Sequence, residues 1–138
     1  MMMLNPKIVF RGESAFVDNF KLFDVVLNNG ITLRVAIGGD GDKTPVLMVH
    51  GHPHTHVIWR KVAPALAKDR KVILVDLRGY GDSSKPESMP DHRPYSKREM
   101  ACDLQLMLQT LGIEQCDFVG HDRGGRVGQC AGDGRTSR

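Results

Sequence analysis

Short uninterrupted apolar runs alternate along this chain with apolar residues at helical spacing. The runs Val46–Val49 and Val72–Val75 have the pattern of strands that are covered on both faces. Between them, apolar residues recur at helical spacing over 59–67, and Pro64 fits the first turn of such a helix or a kink, because it lacks an amide proton. This order of strand, helix and strand predicts a parallel sheet with right-handed crossovers.

Two segments flank this unit. On the N-terminal side, 20–27 is rich in β-branched and aromatic residues, Asn28-Asn29-Gly30 is a turn signal, and 31–37 alternates in polarity, which predicts a hairpin. On the C-terminal side, Ser96 and Glu99 have capping-box spacing, and Gly112 ends a helix with one apolar face. A third short strand is predicted over 116–119.

Bulk properties narrow the class of protein. With 138 residues the chain is long enough for one compact domain, and Lys and Arg (19) barely exceed Asp and Glu (16), without clustering. Neither nucleic acid nor a membrane is therefore an expected partner. Three cysteines without a C-x-x-C spacing argue against a disulfide framework or a thiolate zinc site, and the N-terminus lacks a secretory pattern. We expect a cytoplasmic protein.

The segment Gly120-His121-Asp122-Arg123-Gly124 carries the most chemical information. Glycines on either side of a polar residue, directly after a buried strand, match the G-x-S-x-G bend, which lifts the middle side chain into a pocket. Here the middle residue is Asp122. The alternative is that Asp122 only caps a helix, which aspartate does well.

Together with His50-Gly51-His52-Pro53 and the segment 76–84, this bend resembles the α/β-hydrolase superfamily, and within it the haloacetate (fluoroacetate) dehalogenases. The resemblance spans about 20–128. It implies an α/β fold, namely the N-terminal part of a doubly wound hydrolase sheet, mostly parallel with an N-terminal hairpin and truncated after the nucleophile elbow. The implied domain covers 1–127, and glycine-rich 128–138 is expected to be a disordered tail outside the family.

The resemblance also implies roles for individual residues. Asp122 would displace halide from carbon and form an ester, since a carboxylate with a reference pKa of about 3.9 is ionised at neutral pH. Arg123 and Arg126 would bind the carboxylate of a small halogenated substrate. The backbone amides of His52 and Arg123 would form the oxyanion hole. No cofactor and no metal are expected; either arginine could instead be a solvated helix residue.

Alternatives stay open. His50, His52, His54 and His56 alternate along an extended segment and could place four imidazoles on one side as a metal site. Within the enzyme interpretation, epoxide hydrolysis is the second choice. In the resembling family the orienting acid, the catalytic histidine and the cap domain follow the bend, so we expect little turnover by this chain alone. A non-catalytic truncated or frameshifted product is the third interpretation.

Overall fold

The computed structural model describes residues 6–52, 54–87, 96–122, 124–127 and 136–137. In chain order, the strands and helices are β1 (Lys7–Glu13), β2 (Lys21–Val26), β3 (Thr32–Gly38), β4 (Val46–Val49), a 3₁₀ turn (His56–Trp59), α1 (Ala63–Leu66), β5 (Val72–Val75), α2 (Lys97–Thr110), β6 (Asp117–Gly120) and β7 (Thr136–Ser137). A helical turn at 124–127 follows β6.

The strands form one sheet in the order β1-β2-β3-β5-β4-β6-β7. The pairs from β1 to β3 and the pair of β3 with β5 are antiparallel, whereas β5, β4, β6 and β7 run parallel to one another. The predicted α/β sheet with an N-terminal hairpin is confirmed. Strands β2, β5, β4, β6 and β7 run in one direction and β1 and β3 in the other, so the described sheet is mixed and mostly parallel.

The continuous apolar runs are explained by cover on both faces of the sheet. In β4, Leu47 and Val49 face the cluster that contains α2, while Val46 and Met48 face the cluster that contains Ala63 of α1. Every residue of β4 and β5 is buried. The hydrophobic effect therefore fixes these two strands in the middle of the sheet. The bend is anchored on β4, since the His121 amide donates to the Val49 carbonyl.

Helix α2 begins and ends where the sequence predicts. The Ser96 side chain accepts a hydrogen bond from the Glu99 amide at 3.2 Å, as in a capping box. At the other end Gly112 has a φ of +75°, which glycine tolerates, and the helix stops. The predicted hairpin is also confirmed as β2 and β3.

Strand β1 is not predicted by the pattern. It lies at the edge of the sheet, most of its residues are exposed, and Phe10 rests on Phe23 of β2 with ring centroids 5.5 Å apart. An edge strand that buries neither face has no reason to alternate in polarity. Its pairing depends on the hairpin beside it.

The C-terminal segment differs in part from the disordered tail that its composition predicts. Thr136 and Ser137 pair in parallel with Phe118 and Val119, so β6 has a neighbour on each side. The rest of 128–138 lies outside the described residues. The division into a hydrolase domain at 1–127 and a separate tail stays a prediction.

Candidate active site

The bend after β6 is built around Asp122. Its φ is +54°, in the left-handed region that non-glycine residues seldom occupy. The backbone turns at once into the helical segment 124–127, since the Gly124 amide donates to the His121 carbonyl at 2.9 Å and the Gly125 amide to the Asp122 carbonyl at 3.0 Å. A polar side chain is thus held at a sharp strand-to-helix turn.

Glycine is required on both sides of this bend because the backbone passes so close to itself. A Cβ on Gly120 would lie 2.5 Å from the Cα of Gly125, and one on Gly124 would lie 2.2 Å from the Val49 carbonyl oxygen. A Cβ on Gly125 would have 3.8 Å to its nearest neighbour, the Gly120 carbonyl oxygen. Two of the three glycines therefore have a steric reason, and the third does not.

The Asp122 side chain lies beside the loop that follows β4. The His121 amide donates to the Val49 carbonyl at 3.0 Å, which fixes the bend to the end of β4. A Cβ on Gly51 would lie 2.8 Å from Asp122 Cβ and 3.3 Å from its Oδ2. Asp122 is exposed in the described part of the chain. The carboxylate and the segment Gly51–His52 therefore share one surface.

Of the two arginines after the bend, the structure describes one. Arg126 is exposed, and its amide donates to the Asp122 carbonyl at 3.3 Å, which puts it one helical turn after the acid. Val127 beside it is fully buried and packs into the α2 cluster. Arg123 lies outside the described residues, and so does its backbone amide.

The four alternating histidines do not converge. His50 is fully buried: its Nε2 accepts a hydrogen bond from the Leu77 amide at 3.0 Å, so Nδ1 carries the proton and donates to the Gly51 carbonyl at 3.0 Å. Burial lowers the pKa of His50 below its ordinary value of 6.5. This histidine is a neutral link between the loops after β4 and β5.

The next two histidines are exposed and have different neighbours. The Nδ1 of His52 forms a hydrogen bond of 2.9 Å with the Tyr80 hydroxyl. The ring of His54 lies against that of His121, with centroids 5.9 Å apart. Each ring thus points to a different part of the surface around the bend.

His56 is buried beside Asp76 at the end of β5. Its amide and its ring Nδ1 both contact Asp76 Oδ1, at 2.7 and 2.8 Å. Burial alone would raise the pKa of Asp76, but the hydrogen bonds and charge interaction with His56, helped by the Asp82 amide, lower it, so Asp76 is a carboxylate. Within the described residues no group of three or more potential ligands is close enough to hold a metal ion.

The sequence patterns do not identify the part played by the loop after β5. Leu77, Tyr80 and Asp76 of this loop contact His50, His52 and His56 in turn. One pattern in the sequence does point to these contacts: a polar, glycine-containing segment directly follows each of two buried strands. The carboxyl ends of adjacent parallel strands meet at one edge of a sheet, so the two segments are expected to lie side by side.

The sheet is mixed and has helices on both faces. At the bend, Asp122 has a left-handed backbone conformation, stands between glycines and lies beside the loop that follows the neighbouring strand. This combination defines an α/β hydrolase. The chain belongs to the α/β hydrolase fold family, whose profile matches residues 44–132. No helix in the described part of the chain is long and apolar enough to cross a membrane.

Individual relatives carry the names of different enzymes. The chain is 48% identical over 98 residues to a fluoroacetate dehalogenase from Burkholderia sp, covering 71% of this chain and 32% of that protein. It is 39% identical over 99 residues to a soluble epoxide hydrolase from Corynebacterium sp. (strain C12), covering 72% and 32%. A crystal structure of a candidate acyltransferase from Salmonella enterica is similar with a TM-score of 0.85 and 56% identity, covering 88% and 40%. The chain spans about a third or less of the length of the curated relatives it matches.

Proposed function

We propose that this chain carries the nucleophile-bearing part of a haloacetate dehalogenase that works through an aspartyl ester. The observation that carries the proposal is Asp122, held in the left-handed conformation at the strand-to-helix bend and packed against Gly51. The α/β hydrolase family match over 44–132 covers this bend, and the chain is 48% identical over 98 residues to a fluoroacetate dehalogenase. A serine at this position would need a base to attack carbon, whereas a carboxylate needs none for the first step.

In the first step an oxygen of Asp122 attacks the carbon that bears the halogen. The new C–O bond forms as the carbon–halogen bond breaks, and the halide leaves with the bonding electron pair. The product is a carboxymethyl ester on Asp122. In-line attack needs the substrate held with its carbon over the acid, so positioning is the main task of the surrounding side chains.

Arg123 and Arg126 are the proposed carboxylate-binding residues. A guanidinium matches a carboxylate with two charge-assisted hydrogen bonds, and the position of Arg126 one turn after Asp122 suits an anion bound at the bend. The substrate class that fits is a small halogenated carboxylate. No cofactor takes part in this proposal.

In the second step water attacks the ester carbonyl carbon, and the negative charge that develops on oxygen needs donors. We assign them to the backbone amides of His52 and Arg123, by the resemblance of Gly51-His52 and the bend to the hydrolase pattern. The contact of Gly51 with Asp122 supports the assignment for His52.

We also place the protein in the reducing cytoplasm. Cys102 is a free, exposed cysteine in the described part of the chain. An exposed thiol suits a reducing compartment, where disulfides seldom persist.

Alkylation of Asp122 tests the first step without any residue outside this chain. After incubation with chloroacetate, we expect one carboxymethyl group on Asp122, assigned by fragment spectra of the peptide with the cysteines blocked beforehand. Asp122→Asn should take up none, and Arg126→Gln should react more slowly. A folded chain whose Asp122 stays unmodified at saturating chloroacetate would disprove the proposed function.

Epoxide hydrolysis is the second candidate, favoured by the soluble epoxide hydrolase among the relatives. Attack on an epoxide also gives an aspartyl ester, but the substrate is neutral and gains nothing from paired guanidinium groups. Styrene oxide offered in place of chloroacetate separates the two. Modification of Asp122 by the epoxide alone would favour the second candidate.

A further inference from the structure

The loop after β5, residues 76–85, holds the loop after β4, residues 50–56, at three points. Two of these contacts are buried and use His50 and His56. The third joins Tyr80 to His52 at the exposed surface beside Asp122. The two buried contacts hold the loops together. The exposed contact involves His52, whose backbone amide belongs to the proposed oxyanion hole.

Tyr80 is itself firmly placed. Its amide donates to the Leu77 carbonyl at 2.9 Å, and its carbonyl accepts from the Ser83 amide at 3.1 Å. Its ring stands edge-on to the buried ring of His50, with centroids 5.0 Å apart, and packs against the α2 cluster. The hydroxyl is therefore a fixed point, because the backbone and the ring behind it are both held.

His52, in contrast, depends on Tyr80. It is exposed, its ring Nδ1 forms a hydrogen bond of 2.9 Å with the Tyr80 hydroxyl, and its ring lies edge-on to the Tyr80 ring with centroids 5.8 Å apart. It directly follows Gly51, which touches Asp122. A side chain tied at its Nδ1 restricts the rotation of its own backbone, and the amide of His52 is part of that backbone.

We propose that Tyr80 is a positioning residue: by binding the His52 ring, its hydroxyl aims the His52 amide at the oxyanion of the Asp122 ester. This inference rests on the proposed function. Hydroxide adds to the ester carbonyl carbon, the His52 N–H donates to the resulting oxyanion, and the bond from that carbon to the alkyl oxygen then breaks. The alkoxide takes the proton of the carboxylic acid just formed on Asp122, so glycolate and the Asp122 carboxylate are released.

Tyr80→Phe is the matched test, since it keeps both ring contacts and removes only the hydroxyl. The chain is first carboxymethylated on Asp122, and loss of the ester is followed by mass spectrometry at mildly alkaline pH. We expect the variant to lose the ester about threefold to tenfold more slowly, the effect of one hydrogen bond, with an unchanged rate of alkylation. Thr110→Val removes a hydroxyl that donates to the Leu106 carbonyl on α2, far along the chain, and should change neither rate.

Two substitutions at His52 complete the test. Asparagine keeps a polar atom near the place of Nδ1, whereas phenylalanine does not, so His52→Asn should retain most of the ester-hydrolysis rate and His52→Phe should resemble Tyr80→Phe. Combining His52→Phe with Tyr80→Phe should slow hydrolysis no further than either alone. Fully additive effects, or equal ester loss in the parent and Tyr80→Phe, would overturn the proposal while leaving the alkylation step intact.

Hydrogen exchange of the unmodified chain gives a readout that needs no chemistry at Asp122. In NMR spectra, the amide of His52 should exchange faster in Tyr80→Phe and His52→Phe than in the parent, and at the parental rate in Thr110→Val. If Asp122 is never alkylated, the proposed function fails, and this exchange pattern still decides whether Tyr80 orders the loop. An unchanged His52 amide in a folded Tyr80→Phe chain would show that it does not.

Discussion

His56 donates two hydrogen bonds to a single oxygen of Asp76, one from its backbone amide at 2.7 Å and one from its ring Nδ1 at 2.8 Å. The other carboxylate oxygen accepts from the Asp82 amide at 3.3 Å. Both partners are buried, so the pair joins the start of the 3₁₀ turn to the end of β5. Because the carboxylate is nearly inaccessible to water, these bonds replace its hydration.

Asp76→Asn should therefore destabilise the protein at neutral pH. We expect a loss of about 2 to 3 kcal/mol in the free energy of unfolding at pH 7, the scale of hydrogen bonds to a charged group. The folded-state pKa of Asp76 is lowered, so its stabilisation is present above the ordinary value of 3.8 and is lost as pH falls through the folded pKa. Urea unfolding from pH 7 to pH 3 measures both effects. Asp18→Asn, at an exposed position, is the control, and equal acid sensitivity of the parent and Asp76→Asn would contradict the argument.

His50 predicts a second pH effect, in a higher range. Its neutral ring satisfies the Leu77 amide and the Gly51 carbonyl together, and a protonated ring would turn an N–H toward the Leu77 N–H. Since burial lowers the folded pKa, the unfolded chain binds more protons below about pH 6.5, and stability falls as pH decreases from there toward the folded pKa. His50→Gln should flatten this slope in urea titrations between pH 7.5 and pH 5. His54→Gln, which removes an exposed histidine of the same loop, should keep it.

The strands and helices of the core follow from the sequence because their signals are local. The runs at β4 and β5 are apolar throughout because both faces of these strands are covered. Ser96 and Gly112 mark the two ends of α2 through contacts within a few residues. The place of Asp122 at the bend also follows from a local signal, the glycines around it. The sequence does not predict strand β1, because its exposed edge position imposes no pattern.

The contacts between loops could not be predicted in this way. The even spacing of the histidines from His50 to His56 suggests that their rings lie on one side of the segment. That interpretation holds only for an extended backbone. The chain instead turns after Gly51, where the His54 amide donates to the Gly51 carbonyl at 2.8 Å, and enters a 3₁₀ turn at His56. Which ring meets Leu77, Tyr80 or Asp76 then depends on how two loops pack, a relationship that no local spacing encodes.

A buried ion pair links the loop after β5 to α2. Arg78 binds Asp103 with two bonds of 2.6 Å, and Asn29 in the hairpin turn donates to the same carboxylate at 3.1 Å. Arg78→Met leaves the buried Asp103 carboxylate without its charge partner, so we expect a loss of about 3 to 5 kcal/mol by chemical denaturation. Adding Asp103→Leu should restore part of the loss, because the unpaired charge is then gone. A double variant as unstable as the sum of the two singles would show that the pair is not coupled.

The glycines of the bend predict a contrast between neighbours. In Gly124→Ala the new Cβ would lie 2.2 Å from the Val49 carbonyl oxygen, whereas in Gly125→Ala it would lie 3.8 Å from its nearest neighbour. We expect Gly124→Ala to cost about 3 kcal/mol or more, since backbone must move, and Gly125→Ala to change stability by less than about 1 kcal/mol. Thermal and urea unfolding of the two variants measure the difference. Similar losses in both would mean that the chain does not bend as described.

The left-handed backbone of Asp122 predicts a conflict between stability and reactivity. A non-glycine residue at a φ of +54° is strained, and the strain persists because the flanking segments fix the bend. Asp122→Gly should raise the free energy of unfolding by about 0.5 to 1 kcal/mol, while Asp122→Val, with a β-branched side chain at positive φ, should lower it by about 1 to 2 kcal/mol. Neither variant can be alkylated at position 122. Asn19, at a φ of +66° in an exposed turn, gives the control: Asn19→Gly should gain stability and keep the alkylation of Asp122. A lower free energy of unfolding for Asp122→Gly than for the parent would contradict this argument. It would show that the aspartate side chain stabilises the bend.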